Sequence, residues 1–309
     1  MSWPAADRPE SVATDSESSY QLSPIQQGML FEGLSGQQSG VDIEQVLCSL
    51  GEELNVSAFV DAWRQSVDRY PVLRTSFSWL DREVPVQTVH QKVEVPIFDE
   101  DWRSLSEDDR ARQLATFLQA DRLQGFDLTQ PPLMRLALFR VAETQYKLIW
   151  TYHHILLDST SAITVLQAVF TLYESLTGDR QLELTPPNGD RDRSAQMQQD
   201  ISKTEAFWRQ YLSGLCDRTP LIGDFSPVGK IANPQENLPS PEIRLSSSVT
   251  AALNSLIQEQ QLTLNTLLQG VWALLLSRCS GSEDVVFGSI CNSRSPNIEK
   301  TEPAVGLFI

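Results

Sequence analysis

The stretch Lys147-Leu-Ile-Trp-Thr-Tyr-His-His-Ile-Leu-Leu-Asp-Ser-Thr-Ser-Ala162 decides how the rest of the chain is read. An apolar run ends in the pair His153-His154, Asp158 follows, and a new helix is expected to start there. The whole chain holds three histidines, and two of them stand side by side here. Successive side chains of a strand point to opposite faces, so His153 and His154 are expected to face apart. An imidazole at a strand end titrates near neutrality and is a place for acid–base chemistry. The same pair also fits an ordinary core or surface strand. Asp158, followed by Ser-Thr-Ser, reads as a helix N-cap.

Working outward, Leu133 to Val141 and Tyr146 to His153 read as a strand hairpin joined by Ala142-Glu-Thr-Gln145. The helix after Asp158 carries Ile163, Leu166, Val169, Phe170, Tyr173 and Leu176, and Gly178 stops it. Toward the N-terminus, Ser23, Pro24 and Gln26 fit the N-cap, first position and third position of a capping box. Val41 to Leu50 reads as a strand. Asn55 caps a helix in which Val56, Phe59, Val60, Trp63 and Val67 recur at helical spacing, ending near Tyr70-Pro71. Val72 to Trp79 and Val84 to Val89 read as paired strands, and Ser106 caps a helix with Leu114, Phe117 and Leu118 on its buried stripe.

Residues 1–19 are polar and read as a mobile lead-in, with order from Tyr20. The stretch 179–194 turns to Pro, Asn, Gly, Asp and Arg and reads as a linker between a subdomain over 20–178 and a second over 195–309. In the second, a helix with Phe207, Trp208, Tyr211 and Leu212 is expected, then a short strand at Glu242 to Leu245. Helices follow near Val249 to Gln260 and, capped by Thr263, from Leu264 to Arg278, with a strand at Asp284 to Cys291. Val305-Gly-Leu-Phe-Ile309 is apolar and strand-like. Strands alternating with helices argue for α/β or α+β layers.

The bulk numbers narrow the function classes. At 309 residues with 41% hydrophobic content, the chain has material for a large core or two domains. A formal net charge of −16 repels a phosphate backbone, which argues against nucleic acid as a partner. Cys48, Cys216, Cys279 and Cys291 are scattered, without metal-ligand or disulfide-frame spacing, and read as buried thiols of a reducing compartment. No apolar run reaches membrane-spanning length, and the first residues lack a signal-peptide pattern, so a soluble, cytoplasmic protein is expected. No metal is expected.

Several stretches together resemble the condensation domains of nonribosomal peptide synthetases, in the chloramphenicol-acetyltransferase-like superfamily of acyltransferases. His153-His154-Ile-Leu-Leu-Asp158-Ser159 resembles the pattern HHxxxDG, and Arg69-Tyr-Pro-Val-Leu-Arg74-Thr-Ser-Phe77 resembles RHxxLRTxF. Leu22-Ser-Pro-Ile-Gln-Gln-Gly-Met-Leu-Phe31 resembles the opening motif, and Val305-Gly-Leu-Phe-Ile309 the start of Val-Gly-Leu-Phe-Ile-Asn-Thr-Leu. Asp284-Val-Val-Phe-Gly288 and Phe207-Trp208 also fall where such domains have similar residues. The matches run in family order from about residue 20 to residue 309. Ser159 replaces the motif glycine and Tyr70 the histidine of the second motif.

The resemblance implies a layered α/β fold of two chloramphenicol-acetyltransferase-like subdomains with a tunnel between them, the second incomplete here. It implies amide-bond formation between a donor acyl or peptidyl thioester and an acceptor aminoacyl thioester. Both substrates would ride on the 4'-phosphopantetheine arms of partner carrier proteins, beside adenylation and carrier modules, with no cofactor held by this chain. His154 takes the place of the family's site histidine and His153 a structural place. Asp158 corresponds to an aspartate that ion-pairs with an arginine, for which Arg74 is the first choice. Ser159, Ser293 and Arg294 are candidates to line the channel. Epimerisation, dual epimerisation and condensation, ester formation and a non-catalytic recruiting module stand as alternatives, the opening motif leaning toward the epimerising types.

Overall fold

The computed structural model describes residues 16–35, 40–80, 82–178, 201–215, 219–220, 243–291 and 304–309. In chain order its elements are β1 (Ser16–Gln21), α1 (Pro24–Ser35), β2 (Ile43–Leu50), α2 (Val56–Arg69), a 3-10 turn (Pro71–Arg74), β3 (Thr75–Ser78), β4 (Val86–His90) and β5 (Ile97–Asp101). There follow α3 (Glu107–Gln124), β6 (Met134–Ala142), β7 (Gln145–His153), α4 (Ser159–Thr177), α5 (Ile201–Tyr211), α6 (Ser247–Glu259) and α7 (Leu264–Ser280).

The caps read from sequence are in place. Ser23 and Gln26 form the reciprocal box, Gln26 N–H donating to Ser23 Oγ at 3.3 Å and Ser23 N–H to Gln26 Oε1 at 3.1 Å. Asn55, Ser106 and Thr263 each accept a main-chain N–H three residues on, starting α2, α3 and α7. Helix α7 ends at Gly281, whose φ of 71° is the left-handed conformation that glycine adopts without strain.

Two sheets carry the first part of the chain. One is antiparallel, in the order β1-β4-β3; the other has the order β2-β7-β6-β5. In the second sheet β7 is central, antiparallel to β2 on one side and to β6 on the other, while β5 runs parallel to β6. The register opposes Ile43 to His153, which sets the end of β7 beside the start of β2. Both faces of this sheet are covered. Trp150, Tyr152, Leu136, Leu138 and Leu148 pack with Phe59 and Trp63 of α2 and Val165 and Val169 of α4. Ala137, Phe139, Val141 and Ile149, one residue out of phase, pack with Phe117 of α3 and Trp102. The long buried runs of β6 and β7 therefore follow from a strand with helices on both sides. Trp63 and Trp150 meet edge to face with ring centroids 5.1 Å apart, and Trp102 stacks on Phe139 at 3.9 Å.

Between α3 and the sheet lies a buried polar knot. Arg135, 5% exposed, donates from Nε to Asp121 Oδ1 at 2.5 Å, and Asp121 is 1% exposed. Asp121 Oδ2 accepts from Thr151 Oγ1 at 2.6 Å and Gln45 Nε2 at 2.7 Å. Every strand it joins (β2, β7 and β6) is thereby tied to α3. The lone pairs of the carboxylate are satisfied, the condition under which a buried charge pair is tolerated.

The described chain divides into two compact units. One takes in the residues up to 178 together with 304–309, and the other takes in those between 201 and 291. The linker expected at 179–194 lies outside the described residues. In the second unit α7 is apolar on several sides, and Val271, Trp272, Leu274 and Leu275 are exposed. Among the described residues no helix is long and apolar enough to cross a membrane.

Several expectations change. Residues 16–19, expected to belong to a mobile lead-in, are part of β1, because this strand is recruited by backbone pairing with β4, which needs no apolar side chains. The strand expected over Val72 to Trp79 gives way at its start to the 3-10 turn. Glu242 is outside the described residues, and 243–245 form no strand. Asp284 to Cys291 forms no strand, since no described strand of its unit offers a ladder partner. Val305 to Ile309 likewise joins no sheet. Cys48 and Cys279 are only half-buried and Cys291 is exposed, against the expectation of buried thiols; Cys216 lies outside the described residues.

Candidate active site

The polypeptide leaves β7 at His153 and turns into α4 through His154-Ile-Leu-Leu-Asp158. Anchors from four other segments hold this turn. His153 N–H donates to Leu133 C=O at 3.1 Å and His154 N–H to Asp42 C=O at 2.8 Å. Gln26, 5% exposed, donates from Nε2 to Ile155 C=O at 3.1 Å. Asp158 N–H donates to Gly306 C=O at 3.1 Å. Ile155, Leu156 and Leu157 have no exposed surface, so the apolar filling of the motif fixes the turn from beneath.

The two histidines differ. His153 is 9% exposed, and its Nδ1 accepts the Ile155 N–H at 3.1 Å. Burial first, and then the neighbouring His154, push its pKa down to about 4. It is neutral at pH 7, with its proton on Nε2. His154 is half-buried, and its Nδ1 lies 2.8 Å from Leu157 C=O. A carbonyl oxygen only accepts, so Nδ1 carries the proton and Nε2 of the neutral ring keeps its lone pair. Beside it, burial pushes the Asp42 carboxyl up, an effect that His154 partly offsets and that Glu32 and Glu44 reinforce.

Asp158 is the helix N-cap. Its carboxylate, 4% exposed, accepts Ser161 N–H at 2.8 Å on Oδ1 and Phe308 N–H at 3.0 Å on Oδ2. The terminal stretch is thus docked beside the histidine turn, with Ala304, Val305, Leu307 and Phe308 buried. Full burial of a side chain such as that of Phe308 contributes roughly 1.5–3 kcal/mol.

The ion pair expected between Asp158 and Arg74 is not formed. Arg74, 5% exposed, donates from Nε to Val67 C=O at 3.2 Å and from Nη2 to Asp68 C=O at 3.3 Å. Its Nη1 reaches Gln91 C=O at 3.2 Å, His90 C=O and the Glu17 carboxylate at 3.0 Å. The cause is the 3-10 turn, which folds Arg74 back over the last carbonyls of α2, where a cation is favoured. Arg74 secures the end of α2 to β4 and β1 and takes no part in holding Asp158. Ser159 is exposed at the first position of α4, and the cap is Asp158, not Ser159. Ser293 and Arg294 lie outside the described residues.

Two residues of this site carry no distinguishing mark in the sequence. Gln26 reads there only as a capping-box member, although its amide also reaches the histidine turn. Ser161 looks like one of several capping residues, yet it has no exposed surface and bonds both main-chain groups of Gly306. Among the described residues no cluster of His, Cys, Asp and Glu has the arrangement to hold a metal ion.

Comparison with known proteins agrees with this architecture. The family model described as condensation domain matches residues 16–309. A linear gramicidin synthase of Brevibacillus parabrevis is 39% identical over 295 residues, covering 95% of this chain and 4% of that protein. A surfactin synthase of Bacillus subtilis (strain 168) is 33% identical over 291 residues, covering 94% of this chain and 22% of that protein. The chain therefore spans a small fraction of the length of these relatives. Among solved structures, the starter condensation domain of rhizomide synthetase has a TM-score of 0.67 at 18% identity, over 95% of this chain and 66% of that one. The first condensation domain of the calcium-dependent antibiotic synthetase has a TM-score of 0.69 at 18% identity, over 94% and 68%. With its layered α/β fold and the family match over residues 16–309, the chain belongs to the condensation domain family of the nonribosomal peptide synthetases.

Proposed function

We propose that this chain catalyses amide-bond formation between a donor acyl or peptidyl thioester and an acceptor aminoacyl thioester, with His154 as the base. The observation that supports this is the 2.8 Å contact of His154 Nδ1 with Leu157 C=O, which keeps Nε2 of the neutral ring unprotonated. As the acceptor amine attacks the thioester carbonyl, a C–N bond forms and Nε2 takes one proton from the amine nitrogen. Collapse of the tetrahedral adduct breaks the C–S bond, and the imidazolium returns the proton to the departing sulfur. The ring ends neutral and the products are an amide and a thiol.

Both substrates would be presented by phosphopantetheine arms of carrier proteins, beside adenylation modules, as the relation to peptide synthetases supports. Ser159, exposed at the start of α4, is proposed to line the path by which they reach His154. His153, neutral and buried, serves structure, as does Arg74. Asp158 holds the turn through its cap and through Phe308.

The test is a condensation assay with donor- and acceptor-loaded carrier proteins, comparing this chain with His154→Ala. Product that falls by roughly 100-fold or more, the range expected on loss of a general base, supports the reading. Equal product from both chains rejects it. Carrier binding without product from either would favour a recruiting module, and inverted donor stereochemistry without amide would favour epimerisation.

A further inference from the structure

The peptide unit joining Leu157 to Asp158 is held from both sides. Its carbonyl accepts the His154 Nδ1 proton at 2.8 Å, and its N–H donates to Gly306 C=O at 3.1 Å. Gly306 is in turn gripped at both main-chain groups by one side chain. Ser161 Oγ donates to Gly306 C=O at 2.7 Å and accepts from Gly306 N–H at 2.9 Å. Ser161 has no exposed surface, and its own N–H donates to Asp158 Oδ1 at 2.8 Å, which sets it rigidly in the first turn of α4. A hydroxyl that only filled space or capped a helix would not need a reciprocal pair of bonds to a segment some 145 residues away.

We infer that Ser161 is a positioning residue for His154: by clamping Gly306 it fixes the plane of the Leu157–Asp158 peptide, and so keeps the His154 proton on Nδ1. The chain of contacts is Ser161 to Gly306, Gly306 to the peptide N–H, and the peptide carbonyl to the imidazole. A peptide unit that donates at one end and accepts at the other is polarised by both bonds, so loss of the Gly306 contact weakens the carbonyl as an acceptor as well as freeing it to rotate. The ring then samples the tautomer with its proton on Nε2, in which the base nitrogen is blocked.

This inference rests on the reading of His154 as the base for its consequence, but its first test needs no substrate. The full chain carrying nitrogen-15 in its histidine rings is measured by NMR at pH 7.5, with the His154 signals assigned by their loss in His154→Gln. The wild type is expected to show His154 protonated on Nδ1. Ser161→Ala and Ser161→Cys are expected to shift its ring signals toward the Nε2-protonated form. The cysteine, close to serine in size and a weak hydrogen-bonding group, keeps the packing if alanine leaves a disruptive void. Unchanged His154 signals in folded Ser161→Cys overturn the inference. In the condensation assay, kcat is expected to fall roughly 10–100-fold with little change in KM, as for a displaced catalytic group. Shifted signals with an unchanged rate would uphold the clamp and count against His154 as the base.

Discussion

His153 and His154 are neighbours in the chain and carry their protons on opposite ring nitrogens. His153 Nδ1 accepts from Ile155 N–H at 3.1 Å, whereas His154 Nδ1 donates to Leu157 C=O at 2.8 Å. Two identical side chains are thus given different chemistry by the turn that follows them. The first is a buried neutral ring that receives a main-chain proton. The second is a half-exposed ring whose Nδ1 proton is committed to a carbonyl, so that its neutral form carries the lone pair on Nε2.

The buried His153 makes stability depend on pH. Its pKa of about 4 in the folded chain lies below the ordinary value of 6.5, so between those values the unfolded state binds the extra proton. Its contribution is fully present above pH 6.5 and is lost as pH falls toward 4, a difference on the order of 3 kcal/mol. His153→Gln keeps an acceptor for Ile155 N–H and does not titrate. Urea denaturation at pH 7.0 and 5.0 is expected to show a smaller acid loss for His153→Gln than for wild type. An equal loss in both would show that His153 does not titrate in this window.

Asp121 is expected to be the most costly single charge to remove from the first unit. Asp121→Ala takes the carboxylate from the Arg135 guanidinium, which is 5% exposed, and unties Thr151 and Gln45 at the same time. Breaking a buried pair of this kind costs roughly 3–5 kcal/mol. Chemical denaturation measures it; a cost under about 1 kcal/mol, the range of exposed pairs, would contradict the reading.

Removing the Gln26 amide is expected to loosen the histidine turn while α1 persists. Gln26→Leu deletes the donor to Ile155 C=O and leaves that carbonyl buried without it, a penalty of roughly 1–3 kcal/mol. Hydrogen exchange is expected to quicken at residues 153–158 and to stay unchanged in β6. Unchanged protection of the turn would place its rigidity in the apolar packing of Ile155, Leu156 and Leu157 instead.

Asp158→Asn is expected to release the terminal stretch before it harms α4. One amide oxygen can keep Ser161 N–H capped, but the amide nitrogen then faces Phe308 N–H, which needs an acceptor. Limited proteolysis is expected to cut within 304–309 faster in this variant, with helix content by circular dichroism unchanged. Equal cutting rates would show that apolar burial alone seats the segment.

Much of the framework is legible in the sequence because it rests on local signals. Asn55, Ser106, Thr263 and the Ser23–Gln26 box mark helix starts through side chains that reach their own first turns. The hairpin of β6 and β7 is likewise a contact between neighbours in sequence. Strands β1 and β5 leave no such trace, for the opposite reason. Ser16–Gln21 is nearly all polar, and Ile97–Asp101 carries three acidic residues, so each is a strand only through the backbone of a distant partner. Asp158 offers two readings in sequence; the cap is formed, and Arg74 is not its ion-pair partner. Arg74 lacks its expected partner because the 3-10 turn redirects it, a feature with no signal beyond Pro71. Ser161 stands hidden among Asp158-Ser-Thr-Ser, and only the docking of Gly306 sets it apart from its neighbours.

The measurement that bears most directly on the account is the condensation rate of two single variants side by side, His154→Gln and His153→Gln, with the same loaded carrier proteins. The opposite tautomers predict that His154→Gln loses amide formation by roughly 100-fold or more, while a folded His153→Gln keeps most of it. Loss confined to His153→Gln, or equal rates in both variants and the wild type, would contradict the assignment of His154 as the working base.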